Sequence, residues 1–325
     1  MSAPQTSPPA SGLRPPATPA SRQAPRPEES GRPGLTWYGF HSAQRLVAAL
    51  PRSVAYALAI VAARFAFVFA RGARRALAEN LRVALPERTP GQLRLIAWRN
   101  FRNHAKAYVD LMQMPVAEVE DLKPLLHRCG EDLLAEARAL GKGVLMVSCH
   151  MGSWEVAAAS WAVTTAPVNL FAEVLEPQEM YDWYRTTRAR LGISVLPLNR
   201  SGLRKVLQAL DENELVITAL DRDILGTGIE CDFFGHRARI PDGVATIALH
   251  RGVPIMPVCV YRLPDDTYRG VGYQPIYARP TGDDKADVRR ITQLLVRCME
   301  QMIREHPDQW HLPHRIFDLE DSRQR

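Results

Sequence analysis

The chain has 325 residues, 46% of them hydrophobic and 23% charged, with a formal net charge of +6. That length suits one large α/β domain with a helical appendage. The five cysteines are scattered and form no C-x-x-C pair, which implies neither a zinc site nor a disulfide framework and fits a reducing compartment. Walker A, G-x-G-x-x-G and G-x-S-x-G fingerprints are absent and no nucleic-acid-binding motif accompanies the positive charge, so nucleotide-driven chemistry, a serine-hydrolase elbow and a nucleic-acid partner lack support.

Residues 1–34 hold nine of the 25 prolines, mixed with Ser, Ala and Arg and without an apolar run, and read as a disordered tail, not a signal peptide. From Arg45 to Lys106 there are twelve basic residues against only Glu79 and Glu87, a net +10. Within that stretch Val54 to Ala70 is mostly apolar, is interrupted by Arg64 and is followed at once by Arg71, Arg74 and Arg75. A membrane-spanning helix needs about 20 apolar residues. This shorter, charged segment fits an interfacial helix on an anionic membrane surface, its arginines reaching headgroups, and residues 35–115 are expected to form a basic, membrane-associating helical region. The alternative is a buried amphipathic helix.

Helical patterns over Ala76 to Met114 and Val116 to Leu140 lead to an apolar strand, Val144 to Ser148, behind the Gly141-Lys142-Gly143 turn. A helix over Val156 to Val163 follows. Apolar runs at Val168 to Ala172, Ile193 to Leu196, Leu215 to Leu220 and Ile255 to Tyr261 then alternate with helices at Gln178 to Leu191, Leu203 to Asp211, Val244 to Arg251 and Lys285 to Glu305. Such alternation predicts an α/β core over residues 116–318, with a largely parallel sheet flanked by helices, and a charged tail at 319–325.

His150 stands at the carboxyl end of the 144–148 strand, where open α/β sheets place their chemistry, and Glu155 follows five residues later. A neutral imidazole takes a proton from a hydroxyl near neutral pH when a carboxylate fixes its tautomer, and Glu155 is the expected partner. Gly152 and Ser153 are expected to turn the chain and cap the next helix, whose N–H groups then face a developing oxyanion. Asp221 and Asp223 also follow a strand; they read either as a loop pair or as a divalent-cation holder. Gly243 opens a helix whose N–H groups suit phosphate. Cys149, adjacent to His150, points to the opposite face and reads as core.

Together, His150 to Glu155, Asp221-Arg222-Asp223, Asp232-Phe233-Phe234-Gly235, Pro241-Asp242-Gly243 and Val253 to Val258 resemble the lipid A biosynthesis late acyltransferase family of the lysophospholipid acyltransferase superfamily, from about Trp37 to Asp318. Phe171-Ala172-Glu173, Arg188 to Gly192, Val195 to Leu198 and His306 to His311 are similar to its phosphatidylinositol mannoside acyltransferase branch. The resemblance implies a glycerophosphate-acyltransferase-like fold. It also implies transfer of a fatty acyl group from acyl-CoA or acyl carrier protein to a hydroxyl of a glycolipid or phospholipid, without metal or other cofactor, at the cytoplasmic face of the plasma (inner) membrane, peripheral or monotopic. Its catalytic set is His150, Glu155 and a second carboxylate, Asp221. Glu173 and Arg188 match substrate-site positions, Arg188 facing a phosphate or pairing with Glu173; Asp223 braces the loop, Phe234 lines an acyl slot and Gly243 belongs to the substrate site. A lipid or acyl-thioester hydrolase, a metal-dependent glycosyltransferase built on Asp221 and Asp223, and a non-catalytic membrane-surface binding protein are the competing readings.

Overall fold

The computed structural model describes residues 34–312 and 314–317. The tail expected over residues 1–34, apart from Gly34, and the charged tail at 319–325 lie outside them. Four helices come first: α1 (Leu35–Ala48), α2 (Arg52–Phe69), α3 (Arg71–Ala84) and α4 (Pro90–Gln113). The single helical pattern expected over Ala76 to Met114 is divided at Leu85–Thr89 for a local reason. Pro86 cannot continue a helix, and Thr89 starts the next one: its side chain accepts from Gln92 N, Gln92 reaches back to Thr89 N, and Pro90 occupies the first turn.

The core runs α5 (Val119–Leu122), β1 (Leu126–Cys129), α6 (Glu131–Arg138), β2 (Val144–Ser148), α7 (Trp154–Thr164), β3 (Val168–Ala172), α8 (Gln178–Arg190), β4 (Ile193–Pro197), α9 (Arg200–Asp211), β5 (Leu215–Ala219), β6 (Ile229–Phe233), β7 (His236–Ile240), α10 (Gly243–Arg251), β8 (Ile255–Arg262), β9 (Tyr268–Gly272) and α11 (Asp284–Glu305). Seven strands form one sheet in the order β1-β9-β8-β2-β5-β3-β4, parallel at every pairing except β8 with β9. The expected largely parallel sheet is therefore present. The helical reading of Val116 to Leu140 is corrected: Leu126–Cys129 forms an edge strand.

All five residues of central β2 are buried, as a parallel strand covered on both faces requires. Its alternation assigns Leu145 and Val147 to the face packed by Val206 of α9, Val244 of α10, Leu295 of α11 and Leu77 of α3. Val144 and Met146 face Leu134 of α6 and Val156 and Trp161 of α7. In register, Ser148 of β2 pairs with Ala219 of β5, so chain segments leaving these two strands emerge side by side.

One buried polar cluster ties the helical region to the sheet. Asp110 of α4 accepts from Arg262 at the end of β8 at 2.8 Å and from Tyr56 of α2 at 2.5 Å, and Tyr268 of β9 also bonds it. Arg262 donates in turn to Tyr56 at 2.7 Å, and Arg52 approaches Asp110 to 3.1 Å. Asp110→Ala removes the buried carboxylate of the Arg262 guanidinium and leaves it only Asp266, 3.5 Å away. The expected loss is about 3–5 kcal/mol in urea unfolding, and an unchanged midpoint contradicts this account of the cluster.

Candidate active site

His150 and Asp221 each lie two residues beyond the paired ends of β2 and β5, which is why they meet. His150 Nδ1 is 2.7 Å from Asp221 Oδ1, and the main-chain N–H of His150 donates to Oδ2 at 2.9 Å. Trp310 Nε1 donates to the same Oδ2 at 2.9 Å. An ionised carboxylate only accepts, so Nδ1 carries the imidazole proton and Nε2 is left as the basic nitrogen. Burial alone lowers the His150 pKa, but the charge and hydrogen bond of Asp221 outweigh it and raise the value above the ordinary 6.5. Burial likewise opposes ionisation of Asp221; His150 and Trp310 reverse the balance and hold its pKa below the usual carboxylate value.

The orienting carboxylate is thus Asp221, and Glu155, expected in that place, is engaged elsewhere. Glu155 accepts from Arg188 of α8 at 2.8 Å, both side chains being 8% exposed. Glu173, considered as the partner of Arg188, instead meets Arg222 at 3.2 Å at the half-exposed rim. The Arg188 guanidinium also lies over the Tyr184 ring, 4.9 Å from its centroid.

Gly152 has φ +60°, and a Cβ there would stand 2.3 Å from Val260 O, so the turn into α7 requires glycine. Ser153 holds the cap position but makes no side-chain cap bond, and the Gly152 N–H donates to Gln309 O at 3.2 Å. That amide is therefore not free to face an oxyanion.

Asp223 accepts from Gly226 N at 3.0 Å and Gly228 N at 2.9 Å and so braces its loop. With Asp221 committed to His150, the Asp221 and Asp223 pair does not assemble a cation site, and no group of three or more His, Cys, Asp or Glu gathers for a metal among the described residues. Phe234, expected in an acyl slot, is not in the lining of the cavity that holds His150. With Gly235 it forms the two-residue turn between β6 and β7, both at positive φ, and its ring stacks on Phe233 under Arg304 while its N–H donates to Glu300 at 2.6 Å. Cys149 is buried in the core, where burial pushes its thiol pKa up.

His150, Glu155, Glu173, Arg188, Asp223 and Gly243 all line one cavity of about 930 Å³. One side of it follows β5, where Val216, Thr218 and Leu220 alternate toward it beneath Leu203 and Val206 of α9 and Val244 and Ile247 of α10. The other side is walled by α4, α7 and α8 through His104, Tyr108, Leu111, Trp154 and Tyr184.

Sequence reading assigned no role to Trp310, to His104 or to the asparagines that hold the C-terminal segment in place. Asn100 donates to Trp310 O at 2.6 Å, Asn103 to Asp308 O at 3.1 Å, and Asn80 to His314 O at 2.7 Å. The available signal was asparagine inside helix α4 at positions 100 and 103, where a residue that competes with helical hydrogen bonds needs a tertiary partner.

Comparison with known proteins finds relatives over most of the chain. A phosphatidylinositol mannoside acyltransferase of Mycolicibacterium smegmatis is 27% identical over 297 residues, 89% of this chain and 94% of that protein. One from Mycobacterium tuberculosis is 32% identical over 234 residues, 69% of this chain and 71% of that protein. The sequence profile described as bacterial lipid A biosynthesis acyltransferase matches residues 31–318, nearly the whole chain. On that match, the chain belongs to the bacterial lipid A biosynthesis acyltransferase family and is an acyltransferase.

Proposed function

We propose that the enzyme transfers a fatty acyl group from an acyl thioester, acyl-CoA or acyl carrier protein, to a sugar hydroxyl of a mannosylated phosphatidylinositol. The observation that carries this reading is the Asp221–His150 pair, with His150 in the lining of a largely apolar cavity that follows β5. In the step proposed, His150 Nε2 takes the proton of the acceptor hydroxyl as its oxygen attacks the thioester carbonyl. The tetrahedral intermediate collapses, the C–S bond breaks, and the departing thiolate takes the proton back from the imidazolium. Asp221 stabilises that cation, as in a serine hydrolase whose nucleophile is supplied by the substrate. The names of the mycobacterial relatives support the acceptor class, and the chemistry needs no metal or redox group.

The cavity supports a long acyl chain. From Val216 of β5 to Asp221, just beyond its end, an extended chain covers roughly 17 Å at about 3.3 Å per residue. An extended hydrocarbon with C–C bonds of about 1.5 Å near 111° advances about 1.25 Å per carbon, so roughly 13 methylenes match that length.

The reading also places the protein on a membrane surface, at its cytoplasmic face. Val54, Leu58, Val61, Phe65 and Val68 form one exposed apolar stripe on α2, while Ala55 and Tyr56 on the other side pack with Val109 of α4. A helix fixed to α4 on one face, with its Tyr56 hydroxyl bonded to Asp110, is suited to lie in the interface rather than to cross the bilayer. Arg64, Arg71 and Arg75 are exposed beside it, whereas Arg74 caps the α2 carbonyls of Phe67 and Val68 and is less free for headgroups.

Three outcomes are expected. With chelator present, the wild type moves labelled palmitate from its coenzyme A thioester into a phosphatidylinositol mannoside, and His150→Ala loses at least about a hundredfold in rate; equal rates sink the mechanism, and free palmitate as sole product makes the enzyme a hydrolase. Because the base must be unprotonated, kcat/KM falls as pH drops through the raised His150 pKa. Asp221→Asn removes the charge that raises it, so the acidic limb moves to lower pH while the maximal rate drops; a limb that stays put or moves up contradicts the assignment. Leu58→Ser with Phe65→Ser lowers co-sedimentation with anionic vesicles by more than tenfold, given about 1.5–3 kcal/mol for each large apolar side chain buried.

A further inference from the structure

Residues 309–311, beyond the end of α11, return to lie along the turn that carries His150. Met151 and Trp310 form an antiparallel bridge, the Gly152 N–H donates to Gln309 O at 3.2 Å, and the His311 N–H donates to His150 O at 2.7 Å. The main chain of His150 is thus held on both sides, because its own N–H donates to Asp221 Oδ2. Trp310 is wholly buried, its carbonyl accepts from Asn100 at 2.6 Å, and its ring meets Phe233 edge to face. With its backbone and ring both fixed, Trp310 directs its indole N–H at Asp221 Oδ2, 2.9 Å away.

The two oxygens of Asp221 are therefore used unequally. Oδ2 takes the His150 main-chain N–H and the Trp310 indole N–H, whereas Oδ1 takes the His150 ring alone. A carboxylate turns easily about its own torsion, so donors must hold that division in place. Each donor to Oδ2 also stabilises the anion and lowers its affinity for the proton it shares with the ring. That matters because a general base acts only while it is free of its proton near the working pH. Beyond burial and Asp221, the His150 pKa answers to Arg222, which lowers it, and to Glu155, which raises it. Both are paired, Arg222 with Glu173 and Glu155 with Arg188. His104 of α4 and His311 complete the surroundings, and burial lowers the first to about 4 and the second well below the ordinary histidine value, so neither is charged near neutral pH.

We propose that Trp310 is a positioning residue: its indole N–H holds the Asp221 carboxylate so that Oδ1 is reserved for the His150 ring, and it tempers the charge that the imidazolium meets there. The inference rests on the acyl-transfer reading and adds a residue that acts on the base through Asp221. Trp310 is not in the cavity lining, so it acts without touching a substrate. Loss of the donor leaves a more basic carboxylate and hence a more basic His150, an effect opposite in sign to Asp221→Asn, which removes the charge altogether.

The test uses the full-length enzyme with palmitoyl-CoA and a phosphatidylinositol mannoside. Trp310→Phe removes the N–H. Replacement of Trp310 by benzothienylalanine, in which sulfur takes the place of the indole nitrogen, removes it without changing the shape of the ring and decides the matter if the Phe variant does not fold. In either protein the acidic limb of kcat/KM moves up by about half a pH unit, the maximal kcat falls about tenfold, and both KM values stay within about twofold of wild type. A limb that stays put or moves down as in Asp221→Asn, or KM values that rise in step with the loss of rate, overturns the assignment and leaves the acyl-transfer reading intact. A wild type that transfers to no acceptor removes the acyl-transfer reading. The ring nitrogen NMR shifts of His150, titrated without substrate, then decide the role of Trp310, which falls if His150 titrates at the same pH with tryptophan and with the analogue.

Discussion

The arrangement hangs on the Asp221 carboxylate, buried between the ends of β2 and β5. Burying an ionised carboxylate is costly unless donors surround it. Here three donors do so, the ring and main-chain N–H groups of His150 and the indole N–H of Trp310. Two of them come from the segment after β2 and one from the far end of the chain. Satisfying one charge therefore fixes the loop, the imidazole tautomer and the path of the C-terminal segment at once.

That segment is itself held from the helical region. Asn100 and Asn103 of α4 and Asn80 of α3 bond its carbonyls, and Gln309 bridges Gly152 N and Arg262 N. Arg262 belongs to the Asp110 cluster that also holds Tyr56 of α2. The helix with the exposed apolar stripe is in this way joined by continuous hydrogen bonding to the backbone beside His150. The helical region is part of the site's support.

Charged groups near the cavity divide by burial. Glu155 and Arg188 are both enclosed, and removing either strands the other in a low-dielectric wall, which is far more damaging than losing an exposed pair. Glu173 and Arg222 at the rim keep contact with water and contribute little to stability. Phe234 illustrates a different constraint. Adjacent aromatics beside glycine suggested a binding slot, but the short β6–β7 connection demands positive φ at both turn positions, Glu300 holds the Phe234 main-chain N–H, and the ring packs between Phe233 and Arg304.

Chain-local information sufficed for much of this. The bounds of β2 and β3 follow from their apolar runs, the glycine and polar breaks around them mark the turns, and His150 after β2 and Asp221 after β5 could be placed at strand ends from pattern alone. Short strands with charged or glycine-bearing sequences, β1, β6, β7 and β9, were not legible, because their pairing is set by neighbours distant in sequence and not by their own periodicity. Side-chain partnership was the other thing local pattern left open. Glu155 is near His150 in sequence, yet the parallel register of β2 and β5 delivers Asp221 to the imidazole, and helix α8 delivers Arg188 to Glu155. Composition and strand order along the chain determined the kind of sheet and which residues reach its active edge; only tertiary packing, which brings residues 71 to 210 positions apart into hydrogen-bond contact, decided which of them act together.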